Sequence, residues 1–240
     1  MTMNRRDCLL ATPALLSACA SPPSTVPDAL AVGEQRAWTL AGERFWIWLP
    51  PGYTQTSARW PLVVFLHGSG ERGTDLAKVK VHGPPKLVAQ GQAWPAVLVS
   101  PQCEDGAHWE PERLHRLLGA LKARLNVDPH RCTGTGLSMG GFGVWNWATA
   151  YPRDLAAIAP VCGYGDPAKV AAMRGVPVRA YHGDADPVVP VAPHVACVEA
   201  LRAAGGTASL TLYPGVGHDS WTAAYNDPEL LPWLLAQKQT

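Results

Sequence analysis

The sequence predicts an α/β fold in which a mostly parallel sheet is covered by helices on both faces. Two unbroken apolar runs, at 62–66 and 96–100, are typical of central strands that are buried on both faces. Further along the chain, short apolar strands alternate with helical segments, which is the pattern of consecutive βαβ units. The length of 240 residues is sufficient for one such domain with a substantial core.

The individual elements follow in order after residue 43. An early strand at 44–49 ends at a Pro-Pro-Gly turn, and the two apolar strands come next. Leucines at helical spacing then predict a helix from about Glu110 to Leu125. The later elements are a strand at 131–136, a helix to about 151, strands at 156–161 and 178–182, a helix at 195–204, a strand at 210–213 and a helix at 230–237. The segment between Val161 and Val178 is too short for a sizeable lid domain, so we expect an open site.

The composition excludes several classes of function. The chain has 20 Lys and Arg against 19 Asp and Glu, so its net charge of +1 provides no basic field for nucleic acid. Charged residues make up 16% of the sequence, which excludes charge-driven disorder. No Cys or His spacing in the sequence is typical of zinc, and we predict no metal site.

The first residues resemble a bacterial export signal. Residues 1–18 combine a positive start at Arg5 and Arg6 with an apolar stretch at 8–16, which is too short to span a bilayer. The following Leu-Ser-Ala-Cys resembles a lipobox, in which Cys19 becomes the acylated first residue of the mature chain. We therefore predict a lipid-anchored protein on the periplasmic side of the inner or outer membrane of a bacterial cell envelope.

This interpretation divides the chain into three parts. Residues 1–18 are the lipoprotein signal peptide, residues 19–36 are the acylated cysteine and a flexible Pro- and Ser-rich tether, and residues 37–240 are the catalytic domain. The envelope of a bacterium permits disulfides. Beyond the first 19 residues, four cysteines allow up to two bridges in three pairings, and the sequence leaves the pairing open: Cys103, Cys132, Cys162 and Cys197.

The stretch Gly136-Leu137-Ser138-Met139-Gly140 matches the pattern Gly-x-Ser-x-Gly. It follows a predicted strand and precedes a predicted helix, which is the context of a nucleophile elbow. Such an elbow exposes the serine hydroxyl on a tight turn, and the flanking glycines let neighbouring backbone approach closely. We therefore predict Ser138 as a nucleophile.

A serine hydroxyl needs an oriented base, and in this fold class the order along the chain is Ser, acid, His. His218 lies in the loop after the last predicted strand and is the candidate base. Asp184 and Asp186 follow an earlier strand, and we favour Asp186 because Asp184 is better placed to shape the turn. Asp219 remains a contender, although a direct neighbour of His218 in sequence is a poor orienting partner.

A developing oxyanion needs preorganised backbone N–H donors. The residue after the nucleophile supplies one donor, which here is Met139. The second donor is expected from the loop His67-Gly68-Ser69-Gly70, which follows the first central strand, and we assign it to Ser69.

Four further side chains are candidates for substrate binding, each with a structural alternative. Glu71 and Arg72 follow the oxyanion loop and either bind substrate or brace the loop as an ion pair, which we favour. Trp109 and Trp221 either line the substrate pocket or pack in the core. His82 is interpreted as a surface-loop residue.

These stretches together resemble α/β-hydrolases of the dienelactone hydrolase, polyhydroxybutyrate-depolymerase and "predicted peptidase" esterase group. The resemblance covers almost all of the chain after the tether, from about Glu43 to Gln237. Its matching segments are 66–73, 100–103 with Trp109, 128–131, 136–142, 158–163, 182–190 and 225–230. It implies the α/β-hydrolase fold and a Ser-Asp-His serine hydrolase without a metal or organic cofactor.

We predict a serine hydrolase that cleaves carboxylic esters through an acyl-enzyme. Its expected partner is a small-molecule ester, with no nucleic acid or protein partner. A serine peptidase of the same fold remains an alternative, because amide cleavage uses the same three side chains. A catalytically dead, envelope-binding lipoprotein is the alternative from a different class.

The lipobox interpretation makes a direct prediction. The Cys19→Ala variant should lose incorporation of a clickable fatty acid in a Gram-negative host, because the acceptor thiol is absent, and it should accumulate as an uncleaved or soluble chain. The measurement is in-gel fluorescence of the labelled protein beside the wild type. Equal labelling of the two forms would contradict the lipobox interpretation.

Overall fold

The computed structural model describes residues 32–54 and 57–239, and these residues form one eight-stranded sheet. In chain order the strands are β1 (Gln35–Leu40), β2 (Glu43–Trp48), β3 (Trp60–Leu66), β4 (Val97–Pro101), β5 (Val127–Leu137), β6 (Ala157–Val161), β7 (Val178–Gly183) and β8 (Ala208–Tyr213). Across the sheet their order is β1-β2-β4-β3-β5-β6-β7-β8. β1 and β2 pair antiparallel with their neighbours, and the other neighbouring pairs are parallel.

Helices cover both faces of this sheet. In chain order they are α1 (Gly83–Ala89), α2 (Pro111–Arg124), α3 (Met139–Ala150), α4 (Val191–Ala203), α5 (Trp221–Asn226) and α6 (Leu230–Ala236). The buried side chains of α2, α3 and α4 form one apolar cluster with the sheet, and those of α1, α5 and α6 belong to a second cluster. The predicted α/β fold with a mostly parallel sheet and two helical layers is confirmed.

The prediction from the sequence misses some helices and strands and makes others too short. The strand β1 was not predicted, since its exposed and half-buried residues lack an apolar run. The helices α1 and α5 were missed because they are short, and α1 carries two prolines in its first turn. The helix α4 begins at Val191 rather than 195, because its Pro193 lies in the first turn, where the missing N–H costs nothing. β5 likewise begins at Val127, four residues earlier than predicted.

The predicted N-terminal features lie largely outside the described residues. The signal peptide, Cys19 and residues 20–31 of the tether are not described, and the first strand begins at Gln35, two residues before the predicted domain boundary. Within residues 32–54 and 57–239, no helix has the length and apolar character needed to cross a bilayer.

The four cysteines among the described residues are free thiols. Each lies in a buried position on a different segment of the chain, so the structure forms none of the three possible pairings among Cys103, Cys132, Cys162 and Cys197. Burial raises the pKa of the Cys132 and Cys162 thiols to about 12 and that of Cys197 to about 11. These thiols therefore remain protonated and unreactive at neutral pH.

The strands β3, β5, β7 and β8 are all parallel, so their carboxyl ends lie at one edge of the sheet. This edge carries every loop in which the sequence places a candidate functional residue, as expected for open α/β sheets. Between β6 and β7 the chain forms only a 3-10 turn, Val170–Met173, as secondary structure. The expectation that no sizeable lid domain occurs there is confirmed.

Glycines let the central segments approach one another at backbone distance. A Cβ added to Gly140 would collide with the carbonyl oxygen of Leu66, and a Cβ on Gly136 would collide with the carbonyl oxygen of Gly140. The start of α3 is thereby pressed against the ends of β3 and β5. A backbone carbonyl cannot move aside as a flexible side chain can, so this contact depends on glycine.

We expect the Gly140→Ala variant to lose at least about 2 kcal/mol of the free energy of unfolding, because the added methyl group forces α3 away from β3. Urea unfolding followed by circular dichroism measures this loss. Gly119 of α2 is the matched control, since it is exposed and has nothing within 4 Å of an added Cβ. Gly119→Ala should be neutral or stabilise by up to about 1 kcal/mol. Equal effects of the two substitutions would contradict the packing argument.

Candidate active site

Ser138 occupies the tight turn between β5 and α3. Its backbone has φ 50° and ψ −116°, a conformation that a non-glycine residue adopts only under strain. The turn is fixed on both sides, because the Ser138 N–H donates to the carbonyl of Val161 and the Ser138 carbonyl accepts from the N–H of Phe142. The hydroxyl is thereby held at the half-exposed carboxyl end of the sheet.

A chain of hydrogen bonds joins Ser138 to His218 and Asp186. His218 Nε2 lies 3.0 Å from Ser138 Oγ, and His218 Nδ1 lies 2.7 Å from Asp186 Oδ2. A carboxylate can only accept, so the Nδ1 atom carries the proton and Nε2 is free to accept from the serine hydroxyl. The structure therefore brings together the three side chains that the sequence predicted as nucleophile, acid and base.

The loops that carry these side chains are packed directly on each other. A Cβ on Gly183, the last residue of β7, would collide with the carbonyl oxygens of Val216 and Gly217. Beside this contact, the N–H of Ala185 donates to the carbonyl of Val216 at 3.1 Å. The loop after β7 is therefore held against the loop that presents His218.

Asp186 is an ionised, fully hydrogen-bonded carboxylate. Burial raises the pKa of the Asp186 carboxyl, but the hydrogen bonds from His218 and from the N–H groups of Val189 and Val188 outweigh burial, so its pKa lies below the ordinary value. Oδ1 accepts from these two N–H groups at 2.9 and 2.8 Å, which leaves Oδ2 for His218. Its side chain has no exposed surface.

The other two acids hold turns rather than the histidine. Asp184 Oδ1 accepts from the N–H of Gly215 at 2.6 Å, in the role that the sequence suggested. Asp219 accepts from both the N–H and the hydroxyl of Thr222, in the first turn of α5. Among the three candidate acids, Asp186 is the one hydrogen bonded to His218.

The loop after β3 is held by a neutral, buried histidine. The Nε2 atom of His67 accepts from the N–H of Cys103 at 2.9 Å, so its proton is on Nδ1, which donates to the carbonyl of Gly68 at 2.6 Å. Burial lowers the pKa of His67 to about 4, and Arg72 contributes in the same direction. The loop is thus fixed without a buried charge.

Trp109 and Arg72 support the same loop from outside. The indole N–H of Trp109 donates to the carbonyl of His67 at 3.0 Å, and only 8% of the residue is exposed. Arg72 donates to the carbonyls of Ser69 at 3.0 Å and Ala107 at 3.2 Å. Both side chains therefore brace the loop through its backbone carbonyls, and for Arg72 this contact takes the place of the ion pair with Glu71 that the sequence favoured.

Ser69 and Met139 lie at the contact between the two glycine-rich segments. Ser69 begins a 3-10 turn, Ser69–Glu71, and Met139 begins α3, so neither N–H has a partner within its own helical turn. A Cβ on Gly68 would lie 2.8 Å from the side chain of Leu137, which shows how closely the two segments approach. The sequence prediction of these two residues as oxyanion donors is compatible with this placement.

Glu71 does not form the expected ion pair with Arg72. Among the described residues, His82 Nε2 lies 3.9 Å from Glu71 Oε1, and Glu71 Oε2 is buried without a hydrogen-bond partner. The reason is that Arg72 turns back toward backbone carbonyls. His82, interpreted from the sequence as a surface residue, lies instead beside the candidate site.

Trp221 forms a wall next to His218. Its ring meets the ring of His218 edge-on at 5.2 Å and lies 5.3 Å from the ring of His82. The same indole lines a small cleft of about 150 Å³ together with His82, Lys86 and Tyr225. Trp221 is half-buried, so of the two tryptophan candidates it is the one that presents surface at the site.

Sequence reasoning did not identify the histidine pair behind Asp186. His182 and His194 are both completely buried, and their Nδ1 atoms lie 2.8 Å apart. One signal was available, because His194 falls on the buried stripe of α4 with Cys197, Val198 and Leu201. A polar side chain on such a stripe requires a buried partner.

Acid should destabilise this fold through its neutral histidines. The pKa values of His67 and His194 are lowered to about 4 and about 3, mainly by burial, so below pH 6.5 the unfolded chain binds protons that the folded chain does not. Stability is then present above pH 6.5 and lost as the pH falls. We expect a loss of about 2 kcal/mol per histidine between pH 7 and pH 5, measured by urea unfolding. The His194→Gln variant should show a shallower dependence, and an unchanged stability of the wild type would contradict the argument.

Comparison with solved structures finds esterases among similar folds. A thermostable esterase is 29% identical with a TM-score of 0.76; the match covers 87% of this chain but only 64% of that protein. The feruloyl esterase module from Clostridium thermocellum is 15% identical with a TM-score of 0.66, over 86% of this chain and 89% of that chain. Acetyl xylan esterase from Aspergillus awamori is 14% identical with a TM-score of 0.64, over 84% and 100%. The last two likenesses concern the fold alone.

A sequence comparison with family models gives a match that includes His218 and Asp186. No curated protein matches the sequence. The model of the dienelactone hydrolase family matches residues 107–228, which is just over half of the chain and contains the turn of Ser138 and the loops after β7 and β8. Together with the eight-stranded sheet and its esterase neighbours, this match shows that the chain belongs to the dienelactone hydrolase family, with the α/β-hydrolase fold.

Proposed function

We propose that this protein is a serine hydrolase of carboxylic esters, with Ser138 as nucleophile, His218 as base and Asp186 as orienting acid. One observation carries the proposal, namely the hydrogen-bond chain from Ser138 Oγ through the imidazole of His218 to Asp186 Oδ2. The strained turn of Ser138 supports it, because such strain is characteristic of functional positions.

In the first step of this mechanism, Ser138 Oγ attacks the ester carbonyl while His218 Nε2 takes the hydroxyl proton. The imidazole then carries a positive charge, which the ionised carboxylate of Asp186 stabilises across the 2.7 Å contact. The N–H groups of Ser69 and Met139 donate to the oxyanion that forms on the carbonyl oxygen. The backbone there needs no rearrangement, since His67 and Trp109 already fix the loop.

In the second step, the imidazolium of His218 returns its proton to the leaving alcohol, and the acyl group stays on Ser138. Water then enters, and His218 acts as base again to cleave the acyl-enzyme and release the carboxylic acid. The half-exposed position of Ser138 and the absence of a long insertion between β6 and β7 support direct access of substrate and water.

The family of this chain and the solved structures of similar fold favour esters over amides as substrates. The chain belongs to a hydrolase family that is named for a lactone substrate, and several solved structures of similar fold are esterases. A lactone is a cyclic ester, so hydrolysis of a lactone and of an open-chain ester involves the same attack on a carbonyl and the same oxyanion. We further propose that Cys19 tethers this enzyme to the bacterial envelope, on the sequence argument given above.

The Ser138→Ala variant tests the nucleophile. We expect turnover of p-nitrophenyl acetate to fall by about three or more orders of magnitude, because binding and oxyanion contacts remain but the covalent route is lost. An organophosphate should label the wild type stoichiometrically at Ser138, located by mass spectrometry, and leave the variant unlabelled. Most activity retained in a folded variant would refute the assignment, and a wild type without labelling would favour a binding protein.

The two acids after β7 provide a matched pair. Asp186→Asn should lower turnover at neutral pH by at least about a hundredfold, since His218 loses the partner that fixes its tautomer. Asp184→Asn should cost less than about tenfold, because within the described residues that carboxylate accepts from the N–H of Gly215 and does not contact His218. Steady-state kinetics on folded variants decides, and the reverse ranking would transfer the role to Asp184.

A further inference from the structure

Two buried histidines lie directly behind the carboxylate of Asp186. His182, in β7, and His194, in α4, are both 0% exposed, and their rings meet edge-on at 5.1 Å. His194 Nε2 lies 3.3 Å from the indole nitrogen of Trp145 in α3. His182 Nε2 lies 2.9 Å from the carbonyl oxygen of Val189 and 3.3 Å from Asp186 Oδ2. These contacts link the strand β7 and the helices α3 and α4 to the carboxylate of Asp186.

The partners fix where each proton lies. The indole N–H of Trp145 can only donate, so His194 Nε2 is an acceptor and its proton is on Nδ1. That proton is donated to His182 Nδ1, 2.8 Å away, which leaves the proton of His182 on Nε2. His182 Nε2 then donates to the carbonyl of Val189, with Asp186 Oδ2 nearby. One direction of donation satisfies every nitrogen in the chain.

Both histidines are neutral in this arrangement. Burial lowers the pKa of His194 to about 3, and burial also lowers the pKa of His182 against the opposing effects of Val189 and Asp186. If His194 could not donate, the Nδ1 atom of His182 would be buried without a partner. A proton on Nδ1 would then have no acceptor, and Nε2 without its proton would face the carbonyl oxygen of Val189 and Asp186 Oδ2. Without His194, neither tautomer of His182 satisfies both ring nitrogens, so the ring loses the contact that holds it in place against Val189.

The turn anchored by His182 is the one that presents the acid. Asp186 Oδ1 accepts from the N–H groups of Val188 and Val189, so the carboxylate is tied to the same backbone whose carbonyl His182 holds. The outer side of this turn is exposed, with Val188 65% accessible. The start of the turn is held by the contacts of Gly183 and Ala185 with the loop after β8. Its other end, at Val189, is held from inside by His182, so the orientation of the acid depends on this inner contact as well.

We propose that His182 and His194 form a positioning pair: the hydrogen bond from His194 holds the ring of His182 in place, and His182 holds the turn that aims Asp186 at His218. The proposal rests on the proposed function only for its consequence on turnover, since the aim of Asp186 is a property of the resting protein. Neither histidine contacts a reacting atom.

Two substitutions at His194 separate hydrogen bonding from packing. Gln can accept from Trp145 and donate to His182, whereas Leu fills similar space and can do neither. His115→Leu is the control, because His115 contacts Asp154 and Tyr151, near the carboxyl end of α3 and away from the site. Two readouts are used on the full chain at neutral pH. The first is proton NMR of the His218 Nδ1–H, which a 2.7 Å charge-assisted bond moves far downfield. The second is kcat and KM with p-nitrophenyl acetate.

For His194→Leu we expect the downfield resonance to move upfield or broaden, and kcat to fall at least about tenfold with KM within about threefold. His194→Gln should restore the resonance and keep kcat within about threefold of the wild type, as should His115→Leu. Equal effects of Leu and Gln, or no effect of Leu on either readout, would overturn the proposal.

The remaining outcomes are also decisive. If His194→Leu does not fold, nitrogen NMR of the wild type tests the pair directly, and a His182 proton on Nδ1 would overturn it. A wild type that hydrolyses no ester but loses its downfield resonance on His194→Leu would refute the proposed function and support the positioning pair. An active wild type whose resonance and kcat do not change on His194→Leu would support the proposed function and refute the positioning pair.

Discussion

The contact between the backbone of β3 and the first turn of α3 is the constraint on which the site depends. Gly140 lies so close to the Leu66 carbonyl that no side chain fits between them, and the turn that leads into this contact holds Ser138 in a positive-φ conformation. The same contact brings the loop of Gly68 against the end of β5. One steric condition therefore exposes a hydroxyl and places two helical N-termini beside it.

The order of the strands converts this local turn into a complete site. The strand β5, which ends directly before Ser138, is separated from β7 by one strand and from β8 by two, and all of them run parallel. Their carboxyl ends thus deliver a hydroxyl, a carboxylate and an imidazole to one edge from residues that are far apart in sequence. Close packing of Gly183 on the loop after β8 restricts the relative movement of the loops that carry Asp186 and His218.

The sequence predicted what local chemistry determines and missed what long-range packing determines. The apolar strands and the turn of Ser138 have strong local signatures, and their order along the chain allowed the choice of Asp186 and His218. By contrast, the role of Arg72 depended on which carbonyls lie nearby, and the ring partner of His182 comes from a helix on the next segment of the chain. The free cysteines also depend on long-range packing, because the distances between them in the core are set by the assembled sheet.

The charges of the assembled site are distributed unevenly, and this has a chemical reason. Asp186 is a buried anion, while the imidazoles of His182 and His194 behind it have lowered pKa values and stay neutral. A positive charge on His182 would neutralise the carboxylate from behind and weaken its attraction for an imidazolium at His218. Dipolar N–H groups instead hold Asp186 in place while leaving its full charge available. Neutrality of the inner histidines is therefore a condition for Asp186 to act on His218, in the same way that hydrogen bonding is a condition for its orientation.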